Sequence, residues 1–169
     1  MTRVVVALDS LKGSIGAADA AAAVAEGWRD ALEHVDVRLL PMADGGEGTL
    51  DAFETAVPGS RRMPVRVRGP RGRDLSASWL LLPDGTGVVE LASTSGIELL
   101  TADSGALAPW DADTFGFGQA IAAALDHGVS RLVLGIGSSA STDGGVGMLT
   151  ALGVPGAPAP GVRLRGGQA

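Results

Sequence analysis

Three β-branched apolar runs, Arg3 to Leu8, Val35 to Leu40 and Arg131 to Leu134, each lead straight into a loop that mixes glycine, carboxylates and hydroxyls. Runs of this kind suit strands buried on both faces, as in parallel sheets, and parallel strands must be joined by a crossover that is usually helical. The first two runs have such crossovers. Ala17 to Leu32 is built of strong helix formers and carries Val24, Trp28 and Leu32 at helical spacing, and Leu50 to Ala56 forms a second short helix. Strand, helix, strand, helix predicts an α/β unit with parallel strands.

The pattern then changes. Met63 to Arg68 alternates apolar residues with Arg, GPRG makes a turn, Leu75 to Leu82 returns, and PDGT leads into Gly87 to Leu91, which together predict an antiparallel meander. A boundary is therefore expected between Ser60 and Gly69, with residues 1–62 in a first α/β domain and 63–169 in a second. ASTSG (Ala92 to Gly96) reads as a loop. A helix is expected at Thr114 to His127, with Phe117, Ile121, Ala124 and Leu125 on one face and Gly128 as its cap; Val146 to Leu152 is expected to be another. The final VPGAPAPGVRLRGGQA holds no apolar element able to close a domain, so the chain is expected to be truncated.

Composition removes several classes of chemistry. The 169 residues contain no cysteine, which excludes disulfides, thiolate nucleophiles and Cys-based zinc sites. His34 and His127 are isolated and stand near expected helix ends, where a dipole contact accounts for them. A net charge of −6 offers no basic field for nucleic-acid phosphates. The N-terminal apolar run, broken by Asp9, is too short for a signal peptide or membrane span, so a cytoplasmic protein with no membrane partner is expected. Lys12 is the only lysine among 13 basic residues, so any ammonium chemistry falls to it.

In open α/β sheets ligands bind beyond the carboxyl ends of the strands, which directs attention to Asp9–Ser14, Ala43–Thr49 and Gly135–Gly147. Backbone amides at helix starts take phosphate oxygens, and Asp or Glu holds Mg²⁺. Each loop also has a reading that needs no ligand. In the first, Ser14 could cap the helix with Lys12 solvated; in the second, Asp44 and Glu47 have the spacing of a capping pair, although Gly45, Gly46 and Gly48 exceed what a cap requires. The third contains G-x-G-x-x-A (Gly135, Gly137, Ala140), a form of the dinucleotide fingerprint, but no acid follows Asp143 to hold a ribose. Walker A fails for want of a Gly-Lys pair. What remains, Ser138, Ser139, Ser141, Thr142 and Asp143 before Gly144 and Gly145, favours an anion or phosphate site.

DSLKGS (Asp9 to Ser14), MADGGEGT (Met42 to Thr49) and GIGSSASTDGG (Gly135 to Gly145) occur in the order found in the class I glycerate kinases, and GPRGR and ASTSG fall where that family has similar runs. The chain resembles this family over nearly its whole length. Its departures are Leu11 for the family's Phe, Ser138 for a Gly and Thr142 for an Asn. The resemblance implies a flavodoxin-like, Rossmann-like domain with a second α/β domain inserted in it and the site in the cleft between, in proteins roughly twice as long whose first domain is completed by C-terminal residues. It also implies phosphorylation of D-glycerate by ATP with Mg²⁺, giving 2-phosphoglycerate. By residue, it suggests Asp9, Lys12, Asp44 and Asp143 as catalytic, with Asp9 and Asp44 as metal ligands. Ser10, Gly13, Ser14, Gly45, Gly46, Glu47, Gly137, Ser138, Ser139, Thr142 and Gly144 would bind substrate or phosphate, and Arg71 and Arg73 would clamp a carboxylate. The alternative is a non-catalytic fragment of that fold that binds phosphate or an organic anion.

Overall fold

The computed structural model describes residues 1–104, 107 and 110–155, so the expectation for the Pro/Gly-rich end lies outside the described residues from 156 onward. Strand β1 (Thr2–Val6) pairs in parallel with β2 (Val35–Leu39), in register from Thr2↔Val35 to Val6↔Leu39, and helix α1 (Ala17–Ala31) makes the crossover. Helix α2 (Thr49–Ala56) follows. A second sheet holds β3 (Arg61–Arg68), β4 (Asp74–Leu81) and β5 (Thr86–Glu90) as the expected meander. The strand after it, β6 (Arg131–Gly135), joins this sheet beside β5 and parallel to it, giving the order β3-β4-β5-β6.

The four-stranded sheet is the centre of the molecule because side chains on its strands alternate between two apolar layers. Val67, Trp79 and Val89 pack against helix α5 (Phe115–Asp126) through Phe117, Ala120, Ile121 and Ala124. On the other face Leu80, Leu82 and Val88 meet Leu50 of α2. All five residues of β5 are buried as a result. Burying a side chain such as Phe117 or Leu80 contributes about 1.5–3 kcal/mol, so the two layers dominate the stability of this half. The sheets change over between Ala56 and Arg61, but α2, before the changeover, packs on the second sheet.

Three local expectations are corrected. β1 was expected to be buried on both faces, yet only Val6 is, because among the described residues its sheet has two strands and one covering helix. In α1 the alanines Ala20, Ala21 and Ala25 face inward while Val24, Trp28 and Leu32 are exposed. Two strands are too narrow to cover that flank. Leu125 is likewise exposed, outside the buried face of α5. Finally, ASTSG is a helical turn, α3 (Ala92–Ser95), and α4 (Ile97–Ser104) follows it where no helix was expected. The Ser93 and Thr94 hydroxyls donate back to the Glu90 carbonyl, so the residues that read as a loop bond along a helix instead.

Candidate functional site

The first loop leaves β1 through Asp9, whose Oδ1 accepts from the Ser10 amide at 2.7 Å. Leu11 and Ile15 close a tight turn around Gly13, and Lys12 and Ser14 stand exposed on it. Ser14 does not cap α1. The N-cap is Gly16, with no side-chain capping bond among the described residues. Among the described residues the buried Ser10 hydroxyl has no hydrogen-bond partner.

In the second loop Asp44 Oδ1 accepts from the Gly46 amide at 3.0 Å, and Thr49 Oγ1 donates to the Gly46 carbonyl at 2.8 Å. The capping pair is not formed, because Gly48 in a left-handed conformation is the N-cap of α2 and Glu47 turns away to accept a hydrogen bond from Ser138. The amide of Leu50, in the first turn of α2, is instead taken by Glu90 Oε2 at 3.0 Å. Glu90 is a buried carboxylate at the end of β5, and burial pushes its pKa up although the Leu50 amide opposes the shift. It was not among the residues singled out from sequence. Its signal was a lone acid closing an apolar strand.

The third loop lies directly on the second. The Gly137 amide donates to the Gly45 carbonyl at 2.7 Å, and a β-carbon on Gly137 would stand 2.6 Å from the Gly46 backbone. Only glycine allows so close an approach. Helices α3 and α4 brace the far side: Ala140 donates to the Ser95 carbonyl at 3.0 Å and Ile97 to the Ser138 carbonyl at 2.9 Å. Ser139 and Ser141 bond to each other, and Thr142 and Gly144 are exposed.

Asp143 points into its own loop. One oxygen accepts from the Thr114 amide at 2.9 Å, the Thr114 hydroxyl at 2.7 Å and the Gly147 amide at 3.0 Å; the other accepts from Gly145 at 3.1 Å and Ser141 at 3.2 Å. Burial pushes its pKa up, but the donors of Thr114, Gly147 and Gly145 outweigh it and hold the carboxyl below its usual range. Thr114, also missed from sequence, accepts from the Met148 amide at 2.9 Å and so joins helix α6 (Val146–Ala151) to the start of α5.

Lys12, Asp44 and Ser138 all act on Glu47. The Ser138 hydrogen bond is the largest influence lowering its pKa, Lys12 adds to it, and Asp44 opposes. A cavity of about 340 Å³ opens beside this group between the starts of α1 and α2, lined by Asp9, Ser10, Gly16, Asp19, Glu47 and Asp51 among others. Arg71 and Arg73 are not brought there. They line a separate cavity of about 190 Å³ with Leu75, Leu99 and Leu100, which shares no lining residue with the first.

Magnesium is normally held by one or two carboxylates together with phosphate oxygens and water. Asp9 and Asp44 fit that pattern, since each commits one oxygen to the adjacent turn. A cage of three or more His, Asp or Glu is absent among the described residues. No helix of the described residues is long and apolar enough to cross a membrane.

The sequence profile of the glycerate kinase family matches residues 4–169. The chain belongs to the glycerate kinase family. It is 42% identical to a glycerate kinase of Halalkalibacterium halodurans over 155 residues, which cover 91% of this chain and 40% of that protein. It is 40% identical to the glycerate 2-kinase of Escherichia coli K12, covering 89% of this chain and 39% of the relative. A crystal structure from Salmonella typhimurium LT2, bearing the name glycerate kinase 2, superposes with a TM-score of 0.74 at 38% identity, over 90% of this chain and 41% of that one. The chain thus spans about 40% of the length of these glycerate kinases. The mixed fold, with two parallel pairs, β1–β2 and β5–β6, and an antiparallel meander among the described residues, agrees with that expected from sequence.

Proposed function

We propose that this chain carries part of a site that phosphorylates D-glycerate with ATP, giving 2-phosphoglycerate. The observation that carries the reading is the convergence of loops from three strand ends, with the backbone of the third seated on the second and Lys12 of the first acting on Glu47. Phosphoryl transfer asks little covalent chemistry of a protein; it asks for alignment and for cations where charge develops. Lys12, which acts on Glu47, would supply the ammonium that meets a phosphate oxygen or the substrate carboxylate. Asp9 and Asp44 would serve as Mg²⁺ ligand or as the base that takes the proton of the substrate hydroxyl, and the metal would neutralise nucleotide phosphate charge when bound. The exposed Ser139, Thr142 and Gly144 would bind phosphate from the third loop, while Asp143, with both oxygens engaged, would hold that loop in shape. Arg71 and Arg73, in a different cavity, would reach the substrate only through a movement of the β3–β4 turn.

The test is a coupled assay for glycerate-dependent ADP release, run on this chain and on a chimera in which it replaces the matching segment of a full-length relative. Turnover is expected in the chimera, with 2-phosphoglycerate identified by phosphorus NMR. Lys12→Ala should lower it by well over tenfold, or more than about 1.4 kcal/mol of transition-state stabilisation. A folded chimera without glycerate-dependent turnover would defeat the kinase reading. Phosphate binding without turnover would favour the anion-binding alternative.

A further inference from the structure

Ser138 is the only residue other than glycine with a positive φ among the described residues, at 55°. Left-handed backbone brings Cβ close to the neighbouring carbonyl, so a serine there carries a steric cost that glycine avoids. The side chain has a definite destination. Its hydroxyl crosses the seam between the second and third loops, 91 residues apart in sequence, and donates to Glu47 Oε2. Beside it the seam is tight: a β-carbon on Gly46 would stand 2.8 Å from the Ser138 hydroxyl, and one on Gly137 would stand 2.6 Å from the Gly46 backbone. The Ser138 carbonyl is itself tied to the Ile97 amide at 2.9 Å, so the residue is held from the α4 side as its hydroxyl holds Glu47.

We propose that Ser138 is a positioning residue, whose left-handed backbone aims its hydroxyl at Glu47 and fixes that carboxylate in the cavity beside Lys12. The charged groups around Glu47 are Lys12 from the first loop, Asp44 from its own, and Asp9, Asp19 and Asp51 along the same cavity. Lys12 attracts the carboxylate and Asp44 repels it, and the Ser138 hydroxyl outranks both, so the hydrogen bond is what fixes where the carboxylate rests and keeps it charged. Lys12 then acts on an anion whose position the third loop sets. The importance of that placement for turnover rests on the kinase reading; the tie itself does not.

The experiment is a titration of the chain with carbon-13-labelled glutamate carboxyls, followed by NMR, with thermal melting alongside. In the native chain Glu47 is expected to titrate below the ordinary glutamate range. Ser138→Ala keeps the strained backbone but loses the hydroxyl, so Glu47 should move up toward that range and the melting temperature should fall. Ser138→Gly loses the hydroxyl and relieves the backbone, so Glu47 should move up equally while the protein melts above Ser138→Ala. A Glu47 titration unchanged in Ser138→Ala would overturn the proposal, as would a melting temperature of Ser138→Gly at or below that of Ser138→Ala. In the active chimera the acid limb of the kcat/KM profile should move with Glu47. An inactive native chimera would count against the kinase reading and leave the NMR result to decide the tie.

Discussion

Single side chains in the third loop work in opposite senses, which sequence alone does not separate. Ser138, Ser139, Ser141 and Thr142 look like equivalent hydroxyls in a row, but one crosses to Glu47 and two bond to each other. Asp143 looks like a reactive acid, and its five donors make it the cap of its own loop. Asp143→Asn would turn amide hydrogens toward backbone N–H groups that need an acceptor. A loss of about 1–3 kcal/mol of stability is expected from unsatisfied buried donors, read by urea denaturation at neutral pH. The pH dependence has a definite sign. Because the folded carboxyl is held below its unfolded value, its contribution is present above the ordinary Asp pKa of about 3.9 and is lost as pH falls through the folded value. The native chain should therefore lose stability on acidification below about pH 4 more steeply than Asp143→Asn. Equal stability of the two at neutral pH would show that the donors find other acceptors. The positions of the loops were legible because glycine, acid and hydroxyl cluster after apolar runs. Their partners were not, because contacts such as Ser138 to Glu47 join residues 91 apart and depend on how loops stack.

At the scale of elements, the regular periods were read from sequence to within a residue or two, and the exceptions share a cause. Helix α1 turns its alanines inward, and α3 is built from serines and threonine, because the neighbouring surface decides which face is buried and where hydroxyls bond. Helix α2 shows the same dependence. Its N-cap, Gly48, offers no side chain, so the acceptor for the Leu50 amide comes from Glu90 on another sheet strand. That carboxylate sits in the position favoured by the helix dipole but away from water. Burial raises its folded pKa above the unfolded value near 4.3, so its contribution is fully present below that pH and is lost as pH rises through the folded value. Glu90→Gln keeps an acceptor for Leu50 without the buried charge. It is expected to stay within about 1 kcal/mol of the native chain and to flatten the decline above about pH 4. Glu90→Ala leaves the amide without an acceptor and should cost about 1–3 kcal/mol. Denaturation midpoints across pH check both, and an unchanged pH profile in Glu90→Gln would remove the carboxylate from the account.

Across the whole molecule, stability is expected to be uneven, and the cause is the number of covered faces. The four-stranded sheet has apolar layers on both sides, anchored by Phe117 on one and Leu50 on the other, and β5 is buried throughout. The β1–β2 pair has one helix, packed through alanines, and leaves Val5, Leu39 and Leu40 exposed. Two strands with so little buried apolar area are marginal on their own. Yet β1 and β2 deliver the first two loops, so the backbone that carries Asp9, Lys12 and Asp44 rests on the weaker sheet, while Glu47 is tied through Ser138 to the stronger one. Hydrogen exchange should report this difference strand by strand. Amides paired within β1–β2 are expected to exchange at least about 100-fold faster than those of Leu80, Val88 and Val89, a difference of about 2.7 kcal/mol in opening free energy. Ser138→Ala should widen it in the second loop, because the tie to Glu47 is the side-chain link by which the strong sheet steadies that segment across the seam. Uniform protection across both sheets would mean instead that they open as one cooperative unit, with the seam between Gly45 and Gly137 strong enough to carry the load without Ser138.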